Sequence, residues 1–170
     1  LRRETFDVVC LDVHGLANGN DGPYQDEDRH MALRDQPPMT PGPLDADIVW
    51  LLDMKEACGI WCHDNAHSSI LIRGDHLYVN TGTGVDNTHR LIRRPEAPSL
   101  IVVDKNTGRY LARDDEHISP NIFHATWSSP SLAEVDGRPT IFFCGGNGIT
   151  YAFEPLEAAS PSDAVVTLKK

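Results

Sequence analysis

With 170 residues, 40% of them hydrophobic, the chain is long enough for one ordinary domain with a sizeable core. Its 15 basic and 25 acidic residues give a net charge of −10, which argues against unspecific nucleic-acid binding and against adhesion to anionic membranes. No apolar stretch nears the roughly 18 residues of a membrane-spanning helix, and 12 prolines and 13 glycines between short apolar runs point to an all-β fold of many short strands.

In chain order, the first predicted strand lies near residues 6–13 and contains Val8-Val9-Cys10-Leu11-Asp12, an apolar run closed by an acid. Residues 14–45 then form a long insertion rich in Gly, Pro, Asp and Asn, including Asn18-Gly19-Asn20-Asp21-Gly22-Pro23. Loops of this length are functional or disordered. Oxygen ligands for calcium are plentiful here, but the acids do not fall at EF-hand spacing, so a solvated excursion is the default expectation. A strand follows at Asp47-Ile48-Val49-Trp50-Leu51-Leu52, and residues 51–57 are the best helical candidate.

Two copies of a longer pattern come next. Ser68-Ser69-Ile70-Leu71-Ile72 and Ser128-Ser129-Pro130-Ser131-Leu132 each lead into a hairpin turn, at Arg73-Gly74-Asp75 and Asp136-Gly137-Arg138. Each turn opens an apolar strand that ends in spaced glycines, Leu77-Tyr78-Val79-Asn80-Thr81-Gly82 and Ile141-Phe142-Phe143-Cys144-Gly145-Gly146. The third strands, Leu100-Ile101-Val102-Val103-Asp104 and Thr150-Tyr151-Ala152-Phe153-Glu154, close on an acid as the first predicted strand does. After Asp104 a Lys-Asn-Thr-Gly-Arg turn leads to a fourth strand at Tyr110-Leu111-Ala112, and Val165-Val166-Thr167-Leu168 reads as the fourth strand of the last unit.

Four antiparallel strands per unit, repeating every 40 to 50 residues or so, are the signature of a propeller blade. The expected layout is the end of one blade at 6–54, interrupted by the insertion 14–45, a second blade at 66–114 and an incomplete third at 126–170. That is about two and a half blades, too few to close a ring. The chain starts at Leu1 without a signal segment and stops on a strand-like run, so both ends are expected to be cuts within a longer protein, with any export signal upstream.

The run Leu100-Ile101-Val102-Val103-Asp104-Lys105-Asn106-Thr107-Gly108-Arg109, with Trp50 on a fourth strand, resembles the repeat of the pyrroloquinoline-quinone (PQQ)-like β-propeller proteins of bacteria. Trp127-Ser128-Ser129-Pro130, Gly145-Gly146-Asn147-Gly148 and Tyr151-Ala152-Phe153-Glu154 add to the likeness, which covers residues 6–155. The resemblance implies a segment of a seven- or eight-bladed propeller, periplasmic or extracellular, whose partners include the remaining blades. It departs from the pattern at Ala112, where a tryptophan matching Trp50 is expected, and in lacking the adjacent cysteine pair looked for in alcohol-oxidising members.

Polar residues gather before each innermost strand. His63-Asp64-Asn65-Ala66-His67 and Phe123-His124-Ala125-Thr126-Trp127 occupy matching places, so His63, Asp64, Asn65, His67, His124 and Trp127 are expected around one channel mouth. Asp86, Asn87 and His89 of the long loop 85–98 lie nearby in this scheme. Polar groups converging on a concave channel are the default binding site, although such groups also serve simply to satisfy backbone between blades.

The leading expectation is therefore binding of a small-molecule ligand or a protein partner at that face, with no nucleic acid and no membrane span. The alternative, a PQQ- and calcium-dependent alcohol or sugar dehydrogenase, would use Asp64 as base, His63, Asn65, His67, His124 and Trp127 around the cofactor, and Asn65 and Asp86 on calcium. A third reading is an outer-membrane assembly propeller. Of the four cysteines, Cys10 and Cys144 are expected as buried small apolar residues. Cys58-Gly59-Ile60-Trp61-Cys62-His63 misses the Cys-x-x-Cys-His haem motif by one residue, and zinc held by Cys58, Cys62 and His67 has no usual finger spacing.

Overall fold

The computed structural model describes residues 6–61, 63, 68–157 and 164–170. The fold is mostly β, and the sheets are built from antiparallel strand pairs with one parallel addition. β1 (Asp7–Asp12) pairs with β2 (Asp47–Asp53). β3 (Leu71–Arg73), β4 (His76–Asn80), β5 (Leu100–Asp104) and β6 (Tyr110–Arg113) form a meander. β7 (Ser131–Val135), β8 (Arg138–Cys144) and β9 (Thr150–Phe153) form the third sheet in the same order.

The hairpins follow from their turn residues. Asp136 and Gly137 between β7 and β8 both have positive φ, at 49° and 74°, the backbone of a type I′ loop whose twist matches the strands it joins. Gly74, with φ 60°, occupies the first loop position between β3 and β4, where a glycine suits a type II′ turn.

Period-two alternation divides the apolar residues of the central sheet between two cores. Leu77, Val79, Ile101 and Val103 pack with Phe6, Val8, Trp50, Met54 and Ile60 on the side of the first sheet. Tyr78, Leu100, Val102 and Ala112 pack with Ile141, Phe143, Tyr151 and Phe153 on the side of the third. Trp50 joins the first two sheets at a turn as well: its Nε1 donates to the Lys105 carbonyl at 3.0 Å. A Cβ on Gly108 would come within 2.5 Å of the Trp50 ring, so only glycine lets the turn close down on the indole.

Several expectations need correction. Residues 165–168 do not extend the third sheet; β10 (Val166–Thr167) runs parallel to β6, with Val166 opposite Ala112. Leu168, 6% exposed, and the partly buried Val166 join the core of Phe143 and Phe153 from the central sheet's edge. The helix near 51–57 is displaced to α2 (Met54–Cys58), because β2 continues to Asp53 and the Asp53 carboxylate then caps the N–H groups of Lys55 and Glu56.

The insertion is not a free excursion. Leu16 N–H donates to the Asp45 carbonyl, Met39 N–H to the Asp28 carbonyl, and Glu27 in the short helix α1 (Glu27–Met31) is 2% exposed. Neither cysteine is fully buried: Cys10 is half-buried at the margin of the first core, and Cys144 is exposed with its Sγ 3.4 Å from the Thr150 hydroxyl.

Candidate metal centre

Three loop segments converge beside the top of the central sheet. Asn80, at the end of β4, donates from Nδ2 to the carbonyls of Thr126 and Ser128, which clips the segment entering β7 onto the central sheet. Beyond it, Gly84 forms an isolated bridge with Ala125, and Val85 N–H donates to the His124 carbonyl at 2.9 Å. Gly84 N–H donates to the Trp61 carbonyl on the other side. The chain at Gly84 thus runs between the segments carrying His63 and His124. A Cβ there would lie 2.5 Å from the His124 carbonyl oxygen and 3.0 Å from the His63 Cβ, so the glycine sets how closely the two histidines approach.

His63 and His124 meet with their Nε2 atoms 3.0 Å apart and rings nearly perpendicular, at 83°. A contact this short between neutral imidazoles requires one nitrogen to donate and the other to accept. His89 closes the group: its ring stacks on His124 at 4.8 Å and 18°, and stands edge-on to His63 at 4.8 Å. One ring nitrogen from each of the three histidines lies within 4.8 Å of the other two. Tetrahedral coordination at about 2.0–2.1 Å separates ligand nitrogens by roughly 3.3 Å, so small side-chain adjustments suffice to place all three on one ion.

The loop carrying His89 is organised by Asp86, which is 1% exposed. Its Oδ1 accepts from the Thr88 hydroxyl at 2.7 Å and from the N–H groups of Thr88 and Arg90, and its Oδ2 lies 3.4 Å from the Arg93 guanidinium. The Thr88 hydroxyl, with backbone N–H groups behind it, holds the Asp86 carboxyl down at about 2. His89 N–H donates to the Asp86 carbonyl, and His89 itself has φ 56°, a left-handed conformation that turns its ring back towards His63 and His124. Around the rim, Trp127 is 50% exposed with its ring 5.2 Å from His124, and the Arg93 guanidinium lies 4.9 Å over Trp61.

Of the residues expected at the channel mouth, His63, His124 and Trp127 are brought together, while Asp64, Asn65 and His67 lie outside the described residues. Asp86 stands at the base of the His89 loop with its oxygens engaged by Thr88, Arg90 and Arg93, an anchor for the loop and poorly placed to give them to calcium. Sequence reasoning placed His89 nearby but gave it no role, because a left-handed histidine inside a long loop leaves no periodic trace. The Asp86-x-Thr88 pair, an acid followed two residues later by a hydroxyl, is the signal of a self-capped turn that points to it. Cys58 is buried and burial pushes its thiol up to about 12, while Cys62 and His67 lie outside the described residues.

No helix among the described residues is long and apolar enough to cross a membrane. Comparison with protein-family models, curated proteins and solved structures finds no match.

Proposed function

We propose that the chain is a segment of an exported PQQ-like β-propeller that binds a transition-metal ion through His63, His89 and His124 at its channel face and uses it to hold a small-molecule ligand. The observation that carries the reading is the convergence of three imidazoles from three separate loop segments, each with a ring nitrogen within 4.8 Å of the others. Imidazole suits zinc, copper and nickel, and three protein ligands with a further position open to an outside molecule characterise sites that bind or act on one. Exposed Trp127 and the Arg93–Trp61 pair supply an apolar and a cationic wall for that molecule. The propeller is supported by the repeated strand order, the flanking of one sheet by two others and the docking of Trp50 on the next turn.

The test is calorimetric titration of the full chain with Zn2+ and Cu2+, with electron paramagnetic resonance of the copper form. One ion per chain with nitrogen hyperfine structure is expected, and His89→Ala is expected to weaken binding by about tenfold or more while His14→Ala leaves it unchanged. Equal affinity in the wild-type chain and in a His63→Ala/His124→Ala double variant would remove the proposal. Because only neutral imidazole has a lone pair free to ligate, protonation competes with the metal and affinity is expected to fall on acidification.

A further inference from the structure

We propose a second, chemically distinct ion site: Asp12, Asp21 and Asp47 bind calcium and so fasten the insertion of residues 14–45 to the first sheet. Asp12 ends β1 and Asp47 begins β2, and the two are direct partners in the antiparallel register. Like charges in that position destabilise a strand pair. Asp21 arrives from the insertion, and one carboxylate oxygen from each of the three lies within 4.8 Å of the others. Oxygens sharing one calcium at about 2.3–2.6 Å can stand up to about 5 Å apart, so the cluster fits the ion as it is.

The second observation is the state of Asp47. Its side chain is fully buried at 0% exposure, its Oδ2 accepts from Asp21 N–H at 3.0 Å, and its Oδ1 accepts no hydrogen bond from any described residue. A buried carboxylate oxygen left without a donor is costly, and no lysine, arginine or histidine among the described residues pairs with Asp12, Asp21 or Asp47. A cation against Asp47 removes both the desolvation cost and the repulsion within the cluster.

The surroundings hold the three carboxylates in place. His14 N–H donates to Asp12 Oδ1 at 2.7 Å, and Asn18 Nδ2 donates to Asp21 Oδ2 at 3.1 Å. Gly22, with φ 79°, presses the insertion onto β2 so closely that a Cβ would meet the Val49 carbonyl oxygen at 2.4 Å. Glu27 is also buried, but its oxygens accept from Asn20 Nδ2 and Ile48 N–H, so it braces the loop and leaves the ion to the aspartates. Carboxylates alone select a hard cation, and a loop-built irregular set suits calcium, since magnesium demands near-ideal octahedral geometry.

Calcium binding to the full chain can be measured by calorimetry, and by terbium luminescence with calcium competition. One calcium per chain is expected with a dissociation constant of about 1 mM or tighter, together with slower proteolysis within residues 14–45 in its presence. Asp47→Asn is expected to abolish binding. Should that buried variant fail to fold, Asp21→Asn, whose side chain is exposed, is expected to weaken binding about tenfold or more and to remove the protection from proteolysis. His89→Ala is expected to bind calcium unchanged. No binding at about 10 mM calcium, equal affinity in Asp21→Asn and wild type, equal affinity for magnesium, or loss of calcium in His89→Ala would each overturn the assignment.

Discussion

The central and third sheets share a strand order and differ in what covers them. In the central sheet every residue of β4 is buried, as are Leu100, Ile101, Val102 and Val103 of β5, because a neighbouring sheet packs on each face. In the third sheet only one face is covered: Ile141, Phe143, Tyr151 and Phe153 are buried, while β7 is exposed along its length and Phe142 and Ala152 are half-buried. The same alternating pattern therefore yields a two-sided core in one place and a one-sided core in the other. A unit of this kind gains its full burial from a neighbour on each side, which is how stacked repeats distribute stability.

The largest expected effect comes from putting a charge into the doubly covered sheet. Val102 is fully buried between the strands facing Phe143 and Phe153, and Val102→Glu places an unpaired carboxylate where no water and no cation reach it. The expected cost exceeds about 4 kcal/mol, enough to unfold a marginal domain, and urea denaturation followed by far-UV circular dichroism measures it. Near-wild-type stability would mean that the central sheet is not packed on both faces.

These sheets were legible in the sequence to an unequal degree. The glycine hairpins, the apolar runs ending in an acid and the placement of β4 between β3 and β5 were all readable, because each rests on local periodicity or turn chemistry. The pairing of β10 with β6 was not, since a two-residue strand has no pattern to read and its partner is chosen by where Leu168 can be buried. The insertion was misjudged for a similar reason: its polar composition hides Gly15 and Gly22, which bring backbone against backbone, and it hides buried Glu27. In the histidine cluster, matching positions before the innermost strands pointed to His63 and His124, but His89 depends on a loop conformation that only the Asp86 contacts determine.

That loop gives a middle-sized effect with a defined pH window. The folded carboxyl of Asp86 sits at about 2, against about 3.9 for an unperturbed aspartate. A depressed folded value means that its stabilisation of the 86–92 loop is fully present above about pH 4 and is lost as pH falls through the folded value near 2. Carboxyl carbon chemical shifts should show Asp86 ionised while most other aspartates protonate, and Asp86→Asn should lower metal affinity at neutral pH by releasing His89. An Asp86 titrating near 4 would show that the loop is not held in this way.

The smallest expected effect repeats the first substitution on the exposed side. Ala152 occupies in β9 the place that Val102 occupies in β5, and it is half-buried, directly opposite Phe142. Ala152→Glu leaves the new carboxylate in contact with water, so the 170-residue chain should change stability by no more than about 0.5 kcal/mol. In the proposed propeller the next sheet would cover this face, and the same substitution would bury an unpaired charge and cost several kcal/mol, as Val102→Glu does here. Measuring Ala152→Glu in the 170-residue chain and in any longer chain that carries the proposed further blades therefore asks directly whether a further sheet packs there. Equal tolerance in both would leave the third sheet as the end of the stack and remove the main physical reason for extending it into a ring.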